Sequence, residues 1–117
     1  MSPITITPLD PTDARAIPEI AALLKANFTS AWQEIEEGIA EVHAAFAEDR
    51  FSFVAKANDE VIGWIGAIIT YDGHSMELHP LVVHHQWHGH GVGRQLVAAL
   101  EAEGKRRGIG TVYLGTD

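Results

Sequence analysis

The chain has 117 residues, 46% hydrophobic and 21% charged, which is enough material for one compact core and hardly for two. A net charge of -8 sets the average field against nucleic-acid phosphates and towards cationic small molecules, and the absence of cysteine excludes disulfides, thiolate metal sites and a cysteine nucleophile. No apolar run is long enough to span a bilayer and the first residues lack the basic and apolar blocks of a secretion signal, so a single cytoplasmic domain over residues 1–117 is expected.

In chain order, "PITITPL" alternates Ile4 and Ile6 with polar neighbours and predicts a first strand. From Asp10 to Ala26 the residues Ala14, Ile17, Ala21 and Leu24 follow helical spacing, with Pro18 marking either the start of the helix or a kink. "SAWQEIEEGIAEVHAAFAED" predicts a second helix, opened by a capping box of Ser30 and Gln33 and carrying Ile35, Ile39, Val42 and Phe46 on one face. The period then drops to two. "FSFVAKA", "VIGWIGAIITY" and "SMELHPLVVHH" read as three consecutive antiparallel strands, turned at Asn58-Asp59 and at Asp72-Gly73. Val92, Leu96, Ala99 and Leu100 form the stripe of a third helix, which Lys105 to Arg107 and Gly108 can close, and Thr111 to Leu114 is a last strand. The order β-α-α-β-β-β-α-β ends in a strand-helix-strand unit, whose right-handed crossover makes its two strands parallel.

Between the strand ending at Val83 and the third helix, beginning at about Gly91, lies a loop carrying Gly89, Gly91 and Gly93. Glycines there let backbone N–H groups approach a ligand without Cβ interference, and the helix N-terminus adds unpaired donors and positive potential. The arrangement suits a pyrophosphate; it is equally what a tight strand-to-helix turn requires. His79, His84, His85, His88 and His90 crowd the same region, and imidazole binds zinc, nickel and copper. Without cysteine, and with a spacing that matches no closed zinc pattern, no metal is expected.

The residues from Val61 to Asp117, and more loosely the whole chain, resemble the GCN5-related N-acetyltransferases, whose signature is Gln/Arg-x-x-Gly-x-Gly/Ala at the start of the central helix. "ELHPLVV" and "VYLGTD" are more specific, and resemble the aminoglycoside 6'-N-acetyltransferase branch. The resemblance implies an α/β fold with a mixed sheet, that of the acyl-CoA N-acyltransferases, lacking its C-terminal strand pair. It also implies acetyl-CoA as co-substrate, without a metal, and direct attack by an amine of an aminoglycoside in a ternary complex. The glycine signature fits Gln86 to Gly91 literally. Counting from the end of the strand instead puts Gly91 and Gly93 on its two small positions and His88 on its Gln/Arg position. In that register the backbone N–H groups of Gly89, His90, Gly91, Val92 and Gly93, with His88 and Arg94 beside them, are expected to hold the pyrophosphate, and Leu81, Val82 and Val83 to line the rest of the coenzyme.

The strand "ELHPLVV" is expected to carry the chemistry. Its period of two puts Glu77, His79, Leu81 and Val83 on one face and Leu78, Pro80 and Val82 on the other. Pro80 lacks an N–H and predicts a bulge, which leaves the Leu81 N–H free to polarise the acetyl carbonyl as the matching amide does in relatives. Glu77 is the expected base and ammonium-binding residue, although a plain surface carboxylate is the alternative. His79 is either a proton relay or a histidine hydrogen-bonded within the strand pair. Asp117 closes the second motif and is expected near the amine. Trp32, Trp64 and Trp87 are not at stacking intervals and read as packing residues. Trp32 is also carried as an acceptor-binding residue, because the resemblance makes the neighbouring second helix a wall of the acceptor site. Relatives continue past "LGTD", so an exposed sheet edge and a homodimer are expected. Another amine acceptor, such as a polyamine or a protein N-terminus, and a non-catalytic coenzyme-binding fragment are the competing functions.

Overall fold

A computed structural model describes residues 3–28, 31–70 and 72–114. Five strands form one sheet in the order β1 (Ile4–Pro8), β2 (Arg50–Ala57), β3 (Glu60–Ile69), β4 (Ser75–Val83) and β5 (Thr111–Leu114). The first four pair antiparallel with their neighbours and β5 lies parallel to β4, as the crossover through the last helix requires. Among the described residues three α-helices complete the fold: α1 (Ala16–Asn27), α2 (Ile35–Ala44) and α3 (Val92–Arg106). None of the helices described is long and apolar enough to cross a membrane.

Local chemistry sets the turns. Asn58 and Asp59 adopt φ of 52° and 65°, the left-handed pair that joins β2 to β3 in a two-residue hairpin. Asp72 Oδ1 accepts hydrogen bonds from Thr70 Oγ1 at 2.7 Å and His74 N–H at 2.9 Å, holding the turn into β4. α1 starts at Ala16, close to Pro18, as one of the two alternatives had it: upstream, Asp10 Oδ1 takes the Thr12 N–H at 2.8 Å in a local turn, and Asp13 Oδ1 takes the Ala16 N–H at 3.1 Å. Pro18 then falls in the first turn, where a missing N–H costs nothing. α2 starts at Ile35, where the Glu34 N–H donates to Glu37 Oε1 at 3.0 Å; Ser30 of the expected capping box lies outside the described residues. Its end comes at Ala44, and Phe46 reaches the core from tight turns that follow the helix.

The core has two layers, one on each face of the sheet. On one face Ile17, Ile20 and Leu24 of α1 and Val42 of α2 pack against Val54, Trp64 and Val82. On the other, Val92, Leu96 and Leu100 of α3 pack against Phe51, Ala55, Ile65, Ala67, Met76 and Leu78. β3 is buried from Val61 to Ala67, which is why it reads as a nearly continuous apolar run. β5 is the opposite case: all four of its residues are exposed.

Candidate active site

The site is built on a break in β4. Ile65 pairs with Leu81 and Ala67 with Leu78, so two residues of β4, His79 and Pro80, stand opposite the single residue Gly66. The expected bulge at Pro80 is therefore present, and Gly66 makes room for it: a Cβ on that residue would lie 2.8 Å from the His79 carbonyl oxygen. A glycine inside a strand pattern is the sequence signal for such a close backbone approach.

The bulge corrects the face assignment. An unbroken period of two would put Glu77, His79, Leu81 and Val83 together, but the extra residue inverts the alternation. Upstream of it, Met76 and Leu78 face α3; downstream, Val82 faces α1 and α2, and Val83 packs on the α3 side. Leu81, opposite the α3-facing Ile65, shares that side. Glu77 and His79 accordingly point to the α1–α2 face, away from the Leu81 and Val83 side chains. His79 meets Trp32 there, ring centroids 5.9 Å apart, and Trp32 in turn packs edge-to-face on Phe28 at 4.8 Å. Trp32 holds φ at 52°, a backbone conformation that bulky residues rarely adopt.

Backbone directions matter more for Leu81 than its side chain. In an antiparallel pair the N–H and C=O of one residue point to the same side, and successive residues alternate. The His84 N–H reaches Ile62 O of β3 at 2.7 Å, so Val82 also faces β3, while Leu81 and Val83 direct their polar groups to the outer edge. The Val83 carbonyl confirms this by accepting from His88 Nε2 at 2.9 Å. β5 pairs with β4 only from Ser75 to Leu78. Among the described residues, the outer edge beyond that point has no strand partner, and the Leu81 N–H opens onto it.

The glycine loop follows directly. After a turn of 3-10 helix at His85–Trp87, Gly89 and Gly91 take φ of 81° and 79°, with nothing within 4 Å of an added Cβ at either. Gly91 is the residue ahead of α3, and the first bond into that helix runs from the Gln95 N–H to Gly91 O at 3.0 Å. The amides of Val92, Gly93 and Arg94 are thus left without helical acceptors. A Cβ on Gly93 would stand 3.8 Å from Val83 Cγ2, which fixes the helix mouth beside the end of β4. One expectation changes, because two loop amides are not among the free donors: the His88 N–H is engaged with His85 O and the His90 N–H with Trp87 O, each at 3.3 Å. Free amides at the helix mouth and at Leu81 can bind an anion and polarise a carbonyl along one strand edge.

Asp117 lies outside the described residues. Among the described residues, no group of three or more His, Asp or Glu is placed to hold a metal ion. A cavity of about 390 Å³ lies apart from the glycines, between α1 at Leu23 and Ala26, Val61 of β3, and His84 and His85. Its lining includes none of the loop glycines.

A family model described as "Acetyltransferase (GNAT) family" matches residues 17–117. A crystal structure of an aminoglycoside 6'-N-acetyltransferase complexed with coenzyme A is similar over 96% of this chain and 61% of its own, with 31% identity and a TM-score of 0.85. The aminoglycoside 6'-N-acetyltransferase from Enterococcus faecium gives the same identity and coverage with a TM-score of 0.84. An aminoglycoside 6'-acetyltransferase type Ii, also 31% identical, matches over 96% of this chain and 71% of its own with a TM-score of 0.84. The present chain spans about 61% of the length of the first two. Comparison with curated protein sequences found no match.

Proposed function

This chain belongs to the GNAT acetyltransferase family, and from that premise we propose that it moves an acetyl group from acetyl-CoA to the 6'-amino group of an aminoglycoside. The observation that carries the reading is the juxtaposition on one strand edge of a Leu81 N–H without a strand partner among the described residues and a glycine-lined helix mouth. The amides of Gly89, Gly91, Val92 and Gly93 hold the coenzyme diphosphate, where the helix dipole and unpaired donors favour negative charge. Val83 flanks the coenzyme arm and Arg94 adds a positive charge at the first turn of α3, whereas Val82, expected there too, is buried against α1 and α2 with its polar groups turned to β3.

The Leu81 N–H donates to the thioester carbonyl oxygen and stabilises the charge that develops there when the amine attacks. Glu77, on the opposite face of β4, accepts the proton that the ammonium must lose before it can act as a nucleophile. A C–N bond forms, the C–S bond breaks, and the electron pair leaves with sulfur; a thiol with a pKa of about 8.5 departs tolerably as thiolate and is then protonated by solvent. Trp32 and His79 line the acceptor side, where an aromatic face suits an aminoglycoside's ring and cationic substituents. The exposed β5 strand is the surface at which the expected homodimer forms, and a monomer in sedimentation at assay concentration would remove that part of the reading.

The test is turnover on kanamycin, spermidine and a peptide with a free N-terminus, using this chain and Glu77→Gln, with the regiochemistry of the product determined. Acetylation of kanamycin at the 6' position, falling about 100-fold in Glu77→Gln, supports the proposal. Preference for spermidine or the peptide replaces the acceptor, and coenzyme binding without transfer to any amine removes the catalytic reading.

A further inference from the structure

The two imidazoles in the glycine loop are each tied down through one nitrogen. His88 Nε2 lies 2.9 Å from Val83 O, and His90 Nδ1 lies 3.1 Å from His88 O. A carbonyl only accepts, so these nitrogens carry the hydrogens. In each neutral ring the remaining nitrogen, Nδ1 of His88 and Nε2 of His90, is then a bare lone pair. Both residues are exposed, and among the described residues neither ring forms an ion pair with a carboxylate.

The surroundings favour an anion but supply little fixed charge. No Asp or Glu occurs between Glu77 and Glu101, and the only Lys or Arg in that interval is Arg94, on the first turn of α3. From β4 the loop is faced by the Val83 backbone; within the loop, His90 stands 5.4 Å from the Trp87 ring. His84 and His85 stack on each other at 4.6 Å, and His84 Nδ1 accepts the Gln86 N–H.

We infer that His88 and His90 bind protons together with the coenzyme, so that pH sets the strength of the diphosphate grip. This rests on the coenzyme reading above. Where the free nitrogen of a neutral ring meets the diphosphate it presents a lone pair, which repels it. Protonation turns the same nitrogen into a charged donor without disturbing the bond that holds the ring. The ligand therefore favours the charged form, and affinity falls as pH rises from about 6 to about 8. Complete coupling of one proton weakens binding by about tenfold per pH unit, and partial coupling at two rings leaves about tenfold overall.

Calorimetric titration of this chain tests it. The ligand is acetylated dephospho-coenzyme A, which keeps the diphosphate but lacks the phosphate monoester that itself titrates near pH 6. Titrations at pH 6, 7 and 8, each in two buffers of different ionisation enthalpy, report both affinity and proton uptake. The inference expects Kd to rise about tenfold from pH 6 to pH 8, with buffer-dependent heat showing net proton uptake at pH 7. It also expects the doubly substituted His88→Gln, His90→Gln protein, checked for folding by circular dichroism, to change less than twofold over that range. A flat profile in the unsubstituted chain, or a slope that survives in the double variant, overturns the inference while leaving coenzyme binding intact. No binding at any pH overturns the coenzyme reading and this inference with it.

Discussion

Substituting Gly91 by alanine separates the two roles that a left-handed glycine can have. Gly73, Gly91 and Gly108 share nearly the same backbone, with φ of 71°, 79° and 82°, and at all three an added Cβ meets nothing within 4 Å. The intrinsic cost of a Cβ in that conformation is about 1 kcal/mol or a little more, and it should be similar at the three positions. For a chain of this length it lowers Tm by roughly 4 °C. Only Gly91 sits at the mouth of α3. There the methyl group, or the backbone shift that relieves it, also disturbs amides aimed at the diphosphate, and losing one charge-assisted hydrogen bond costs about 2 kcal/mol. Coenzyme affinity should therefore fall roughly thirtyfold in Gly91→Ala, and less than threefold in Gly73→Ala and Gly108→Ala at matched loss of Tm. Thermal melts with and without coenzyme, and calorimetric titration, supply both numbers. Equal affinities in Gly91→Ala and Gly108→Ala would refute the cradle and leave Gly91 as an ordinary turn glycine.

Other predictions address the rest of the site and the frame that holds it. Gly66→Ala places a Cβ against the His79 carbonyl, so β3 and the bulge must separate; a loss of about 1–3 kcal/mol in denaturant unfolding is expected, with kcat falling while coenzyme Kd changes less than threefold. Trp32→Ala should raise the aminoglycoside KM about tenfold and leave coenzyme affinity unchanged, because the ring stands on the Glu77 and His79 face of β4. Glu103 is held to a pKa of about 2 by hydrogen bonds from Arg106 and then Arg107, against an ordinary value of 4.5. Its folded value lies below its unfolded one, so its stabilisation is complete above about pH 4.5 and is lost as pH falls towards 2. Since Arg106 is largely exposed, the effect is on the order of 1 kcal/mol. Urea unfolding of the unsubstituted chain and Glu103→Gln should differ by that amount at pH 6 and converge as the solution is acidified.

The strands were legible because apolar residues run through β2 and β3 and alternate with polar ones along most of β4, and the turn pairs Asn58-Asp59 and Asp72-Gly73 mark the breaks between them. Pro80 located the bulge, since a residue without an N–H cannot serve the ladder. Its consequence was not legible: a bulge shifts the phase of everything after it, so the period that groups Glu77 with Leu81 holds only for a regular strand. The start of α1 was legible from Pro18 and not from the apolar spacing. Asp10 and Asp13 bind nearby backbone N–H groups and so delay α1, and apolar spacing carries no record of that competition. In the loop, the glycines predicted open backbone, whereas the engagement of the His90 amide with Trp87 depends on a 3-10 turn that hydrophobic periodicity does not encode.

The most direct measurement is amide-resolved NMR titration of the ¹⁵N-labelled chain with acetyl-CoA. If the diphosphate rests on the mouth of α3 and the thioester on the edge of β4, the largest saturable shifts fall on Gly89, Gly91, Val92, Gly93 and Leu81. Saturable shifts confined to Leu23, Ala26 and His85, around the cavity beside α1, or no saturable shift at all, would contradict the account.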